Sequence, residues 1–349
     1  MARAVTVNAG VWAAFGAAVS FGIATPVAKW LLASTDPWLM AGLLYAGSGI
    51  GLWLSRWLRP LSRVLVTRHE LVYLVCAIAI GGVIAPVLLM QGLARMPAAG
   101  ASLLLNAEGI FTALLAWFVF RENVDRRVAF GMLLIAIGTV VLAWTAEFRL
   151  RDFVPGLLIL GACLGWAVDN NLTRKLSHLD ATWLASWKGV AAGCTNLLIA
   201  LILGATWPAL SHTLTALLLG SVSYGLSLVL FVKALRHLGA ARTTAYFAAA
   251  PFIGAIAAIL WLGEPWSWRL IAGAACMGVG LWLHLTEHHE HLHHHTSMEH
   301  EHEHTHDEHH QHGHSPEVAP DSRHSHRHRH GDLTHSHSHF PDTHHRHEH

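Results

Sequence analysis

Ten stretches of about 20 apolar residues, at 10–32, 38–57, 70–92, 98–120, 128–146, 153–172, 182–204, 213–235, 241–262 and 267–285, constrain this chain more than anything else in it. At ~1.5 Å of rise per residue, each is long enough to cross a hydrocarbon core of ~30 Å as a helix. Backbone groups in lipid must be satisfied internally, and these runs lack the alternation of barrel strands, so helices are the only available form. The 15 Trp residues agree, because Trp12, Trp30, Trp38, Trp57, Trp144, Trp183, Trp207, Trp266, Trp268 and Trp282 lie toward segment ends. An amphipathic ring suits the headgroup level there. The first run follows Arg3 as a signal peptide would, but it is long, contains Pro26 and Lys29, and lacks a small-x-small cleavage site, so it is expected to be a retained helix.

The segment Leu93 to Val140 returns, shifted by 142 residues, as Leu235 to Trp282. Without a gap, Glu122 aligns with Glu264, Arg127 with Arg269, Gly131 with Gly273, Gly138 with Gly280, and Ala98-Ala99 with Ala240-Ala241. Internal repetition fixes architecture. A repeat of five helices is odd-numbered, so its second copy enters the membrane upside down. The loops carry the corresponding charge reversal: Arg56 to Arg68 follows the second run, whereas the equivalent Ala205 to His212 holds no Lys or Arg. Counting alternate loops gives 12 Lys/Arg on one side and four on the other, which places both termini in the cytoplasm of a cytoplasmic-membrane protein. The expected fold is an all-α polytopic membrane protein of ten transmembrane helices in two inverted five-helix repeats, 1–146 and 153–285, followed by a disordered tail, 286–349.

Within the bundle, Pro26, Pro86 and Pro251 should kink or open their helices and free backbone carbonyls. The glycine pairs Gly131/Gly138 and Gly273/Gly280 mark faces for close helix approach within the fold. Cys76, Cys163, Cys194 and Cys276 each sit alone in an apolar run, without the spacing of a disulfide framework or thiolate metal site, and read as buried small hydrophobes.

A carboxylate deep in a membrane segment is costly and marks a functional site by default, which singles out Glu108, about ten residues into the fourth helix. A carboxyl at that depth is also a candidate for proton coupling. Thr112 shares its face; Asn106, two residues away, points elsewhere, although it belongs to the same candidate stretch. In WAVDNNLTRK, Asp169 and Asn170 lie near the cytoplasmic end of the sixth helix, and Lys188 lies at similar depth on the seventh. An Asp169–Lys188 ion pair with Thr173 on the Asp face is expected, structural or substrate-binding in role. Lys29 should snorkel outward, leaving Glu108 without an obvious partner. Pro251, beside Ala250 at the position equivalent to Glu108, completes the candidate substrate and coupling residues. No phosphate-binding loop, dinucleotide fingerprint or nucleophile elbow is present, so ATP hydrolysis, redox chemistry and esterase activity have no support. Gradient-driven transport, without a required cofactor and without nucleic acid, is the expectation.

After Leu285 the character changes: 25 of the next 64 residues are His. Lys and Arg exceed acids by nine before that point, and acids exceed them by eight after it. Such a segment cannot bury a core. Neutral imidazole binds Zn, Ni, Co and Cu, and the candidate ligands are His288, His289, His291, His293, His294, His295, His300, His302, His304, His306, His309 and His310. Mild acid would make the tail cationic and favour the anionic inner leaflet.

The stretches SLLLNAEGIFTALLAWFVFRE with GMLLIAIGTVVL, AAAPFIGAIAAILWLGEP with GAACMGVGLWL, and WAVDNNLTRK resemble the EamA-type transporters of the drug/metabolite transporter superfamily. The resemblance covers residues 10–285 and departs from the usual pattern at Gly109, where Pro is common, and at Arg121-Glu122, where Gly-Glu is usual. It implies a central cavity between the repeats, lined prominently by helices 3, 4, 8 and 9, and transport of small metabolites. The expected function is secondary export of a small organic solute, with lipid, substrate and tail-bound divalent metals as partners, by a monomer or homodimer. The alternatives are a divalent-metal exporter, and a membrane metal buffer or sensor without transport.

Overall fold

A computed structural model describes residues 2–57, 66–120, 126–143, 150–176, 178–238, 240–285, 289–295, 298–304, 324–330 and 333–339. These fall into two units, 1–286 and 287–349, taken separately below.

Among the described residues, every regular element of the first unit is a helix. Its first half contains α1 (Ala2–Gly22), α2 (Ala24–Leu31), α3 (Pro37–Trp57), α4 (Arg68–Ala77), a π-helical segment (Ile78–Ile84), α5 (Ala85–Arg95), α6 (Ala98–Leu104), α7 (Ala107–Phe120) and α8 (Arg126–Ala143). Its second half contains α9 (Leu150–Arg174), α10 (Ala181–Ile202), α11 (Leu210–Gly220), a second π-helical segment (Ser221–Leu226), α12 (Ser227–Leu238), α13 (Ala240–Phe247), α14 (Ala250–Leu262) and α15 (Trp268–Leu285). Among the described residues, seven helical stretches are long and apolar enough to cross a membrane, and three shorter apolar helices accompany them at Ala129–Leu142, Ala250–Leu262 and Trp268–Leu283. Large apolar side chains such as Trp53, Leu54, Val75, Leu198, Leu218 and Leu260 are exposed on the outside of the bundle, as lipid solvation permits. The chain is an integral membrane protein.

Element boundaries recur at the 142-residue offset read from the sequence. Thus α4 begins at Arg68 and α11 at Leu210, α6 at Ala98 and α13 at Ala240, and α8 at Arg126 and α15 at Trp268; the two π segments end at the same offset, at Ile84 and Leu226. π turns are rare and concentrate at functional positions.

Three apolar runs expected to be single helices are interrupted, the first of them at Ile23, between α1 and α2. The fourth run divides at Leu105–Asn106, where Leu105, Asn106 and Glu108 donate their N–H groups three residues back, to Ser102, Leu103 and Leu105. This tighter, 3₁₀-like pattern breaks the α-helical ladder. The ninth run divides at Ala248–Ala249, just before Pro251, which supplies no N–H. Continuous hydrophobicity conceals such breaks because it records the environment of side chains and not the backbone pairing.

The halves interlock, with α3 packed on α10 and α11, α1 on α12 and α14, α5 and α7 on α9, α6 on α14, and α8 on α15. Lipid offers little hydrophobic drive for such association, so close packing must supply it. The α8–α15 contact follows the expected glycine pairs: a Cβ on Gly138 would come 2.8 Å from the Gly273 carbonyl oxygen, and one on Gly280 would come 2.5 Å from that of Gly131. The cysteines differ from expectation. Cys163 is buried, but Cys76 and Cys194 are exposed on apolar helices and Cys276 is half-buried.

The second unit is described only in four short strands. It contains β1 (His289–His295), β2 (Met298–His304), β3 (His324–His330) and β4 (Leu333–His339), with β1 antiparallel to β4 and β2 antiparallel to β3. His-x-His spacing is a period-two pattern, the repeat of a strand, which composition alone does not register.

Candidate functional site

The break in the fourth run makes a polar position inside an apolar span. It places Glu108 in the first turn of α7, where partly unpaired backbone N–H groups and the helix dipole favour an anionic group. Asn170 of α9 donates its amide to the Glu108 carboxylate at 2.8 Å and lies 3.5 Å from the Thr112 hydroxyl. Glu108 is half-buried and Asn170 exposed, so the pair borders an opening in the bundle. Glu108 therefore has a partner, contrary to the sequence reading: depth along a helix is legible in a sequence, but the neighbour across the gap is not.

One residue earlier on α9, Asp169 receives the Lys188 ammonium at 2.5 Å and the Thr173 hydroxyl at 2.9 Å, while Lys188 also donates to Thr173 at 3.1 Å. This is the expected ion pair with its expected third member. The carboxylate fits because Gly81, in the first π segment, leaves space that a Cβ would fill. The π segment also presents carbonyls to side chains from other helices. Tyr45 and Trp166 donate to the Gly81 carbonyl at 2.9 and 3.0 Å, and Asn196 donates to that of Gly82 at 3.1 Å. Buried polar backbone is thereby satisfied.

Aromatic rings extend this centre into the second half. The Tyr45 ring lies 5.9 Å from that of Tyr224, in the second π segment, and Tyr224 meets Phe21 of α1 at 5.6 Å. Phe21 then meets Phe247, at the break between α13 and α14, at 5.4 Å. Sequence reasoning missed these rings, and all four Tyr residues of the chain fall inside apolar runs, so position in a run does not single out Tyr45 and Tyr224.

Other candidates lie elsewhere. Asn106 donates to the Leu103 carbonyl at 2.9 Å and faces Met277, so it closes the helix break and does not join Glu108. Pro251 opens α14. Lys29 does not snorkel outward; its ammonium donates to the Leu93 and Ala94 carbonyls at 2.8 and 3.2 Å, satisfying the end of α5. Glu264, unremarked except as a repeat landmark, accepts the N–H groups of Ala98 and Ala99 at 2.6 and 2.8 Å and so caps α6 from the opposite half. Its counterpart Glu122 lies outside the described residues. Among the described residues, no group of three or more His, Cys, Asp or Glu side chains is placed to hold a metal ion. Of the tail candidates, His289, His291, His293, His294, His295, His300, His302 and His304 lie on β1 and β2, whereas His288, His306, His309 and His310 lie outside the described residues.

Two interlocked halves with broken helices around a polar, aromatic-lined centre define a membrane transporter. The chain belongs to the EamA-like transporter family, which matches residues 8–144 and again 155–286. It is 32% identical over 269 residues to an uncharacterized transporter of Methanothermobacter thermautotrophicus, covering 72% of this chain and 78% of that one. It is 27% identical over 292 residues to a probable amino-acid metabolite efflux pump of Salmonella typhimurium, covering 76% and 91%. A probable terminal-alkyne amino-acid exporter of Streptantibioticus cattleyicolor is 28% identical over 193 residues, covering 54% and 64%. A solved crystal structure shares the fold with a TM-score of 0.59 at 19% identity, covering 78% of this chain and 94% of that one. The family and these relatives are transporters and not enzymes.

Proposed function

We propose that this protein is a ten-span secondary transporter, built from inverted halves at 1–146 and 153–285, that exports a small amino-acid-like solute across the cytoplasmic membrane. The observation that carries this reading is the Asn170–Glu108 contact at the break of the fourth span. Broken helices at mid-membrane are where transporters of this architecture bind solute and coupling ions. A carboxylate beside an amide and a hydroxyl can receive a substrate ammonium, and the Tyr45, Trp166 and Tyr224 rings suit an apolar side chain next to it. Two relatives described as moving amino-acid-type compounds support the solute class. Proton exchange at Glu108 couples the movement, Asp169–Lys188 holds α9 against α10, both termini face the cytoplasm, and the tail binds divalent metal ions.

The test is counterflow of labelled amino acids into proteoliposomes holding the full chain, a chain ending at Thr286, or Glu108→Gln. The expected result is saturable exchange by the first two and its loss in the third. Exchange by Glu108→Gln equal to that of the unaltered chain removes Glu108 from the site. A collapsed proton gradient that leaves uphill export intact removes the coupling.

A further inference from the structure

Irregular backbone at membrane depth is tolerated where it is buried in protein or lines a cavity. Three aromatic residues stand at such places: Phe21 two residues before the break at Ile23, Tyr224 inside the second π segment, and Phe247 at the end of α13, beside the break at Ala248–Ala249. Phe21 meets Tyr224 at 5.6 Å with the rings at 75°, and it meets Phe247 at 5.4 Å. Phe231 of α12 adds an edge-on contact to Phe247 at 5.0 Å and 71°. All four rings are half-buried, so each keeps uncovered surface. Tyr45 and Trp166 join this cluster to the acidic end of the centre: Tyr45 lies 5.9 Å from Tyr224, and the Trp166 indole N–H donates to the Tyr45 hydroxyl at 3.2 Å. Trp166 is one turn before Asn170 on the same face of α9. Rings therefore lead from the Glu108–Asn170 contact to the break in the second half.

The 142-residue offset shows that the two ends are not copies of each other. Tyr224 corresponds to Gly82, Phe247 to Leu105, and Glu108 to Ala250. At these matched positions the first half supplies a carboxylate and the second half supplies rings. We propose that Phe21, Tyr224 and Phe247 determine specificity, selecting solutes that pair an ammonium with an aromatic side chain. The proposal rests on the reading of Glu108 as the ammonium site, and it narrows the solute from amino-acid-like to aromatic. The ring angles decide for a ring over an aliphatic chain. Walls of aromatic faces and edges reward an added ring beyond the area it buries, whereas an aliphatic chain gains from area alone.

The experiment measures counterflow of labelled phenylalanine and of labelled alanine in proteoliposomes holding the full chain, with unlabelled tryptophan, phenylalanine and leucine as competitors. Phenylalanine and tryptophan should half-inhibit at about three- to tenfold lower concentration than leucine. Phe247→Leu and Phe21→Leu, on different helices, should each remove most of that preference, and Phe247→Tyr, which keeps the ring, should retain it. Phe130→Leu removes a ring that is 54% exposed on α8 and should leave the preference unchanged. Leucine competing as well as phenylalanine in the unaltered chain, a preference that survives both Phe247→Leu and Phe21→Leu, or an equal loss in Phe130→Leu overturns the aromatic assignment while leaving amino-acid export in place. Exchange of no amino acid by the unaltered chain overturns both.

Discussion

Asn170 holds Glu108 across the gap between α9 and α7, amide to carboxylate at 2.8 Å, while the residue beside it, Asp169, is committed to Lys188. Adjacent residues of one helix thus serve different partners: one contact borders the opening and the other ties α9 to α10. Replacing Asn170 by Leu removes the donor and keeps similar bulk. A hydrogen bond to a charged group is worth about 1.5–3 kcal/mol, so transport at limiting solute should fall by about 10- to 100-fold. Initial efflux rates from loaded vesicles check this, and an unchanged rate removes Asn170 from the site.

The Asp169–Lys188 pair should behave as a stability element. Neither group is more than 16% exposed, and cutting one partner leaves the other charge without compensation, at a cost of about 3–5 kcal/mol. Asp169→Asn and Lys188→Met should each lower the unfolding midpoint in detergent, while the double variant recovers most of the loss. Additive losses in the double variant would show that the two groups do not act together.

Substitutions at glycines of α15 should diverge within one turn. A methyl on Gly280 meets the Gly131 carbonyl oxygen at 2.5 Å, whereas one on Gly278 finds only the Phe252 ring at 3.9 Å. Gly280→Ala should destabilise by about 1–3 kcal/mol through overpacking. Gly278→Ala should be neutral, or stabilising by about 0.5–1 kcal/mol from helix propensity. Thermal unfolding of the pair decides between this contact and a general sensitivity of the helix.

Glu264 caps α6 from the other half of the chain. Glu264→Ala leaves the Ala98 and Ala99 N–H groups without their acceptor and should cost about 1–2 kcal/mol. Glu264→Gln keeps one side-chain oxygen and should lose less. Unfolding midpoints that rank Ala below Gln below the unaltered chain are expected; identical midpoints for all three rule out the cap as a stabilising contact.

The spans were legible because apolar length is a direct consequence of bilayer thickness, and the repeat offset carried that reading to individual residues such as Ala98 and Ala240, where α6 and α13 begin. Lys188 could be matched to Asp169 because both lie at similar depth on consecutive segments. Glu108 could not be matched to Asn170: they are 62 residues apart, on helices whose adjacency follows from the interlocking of the halves. The breaks at Leu105–Asn106 and Ala248–Ala249 were hidden because side-chain hydrophobicity runs unbroken through both. Glu264 was visible as a repeat landmark, but its role depends on where its turn meets the opposite half.

An unbroken helix moves as one rod, so displacing either end displaces the other. The interruption at Leu105–Asn106 gives the fourth span two levers: the short α6 is gripped by Glu264 and the longer α7 by Asn170. The second half of the chain can therefore pull on one lever while the other keeps its hold at the centre.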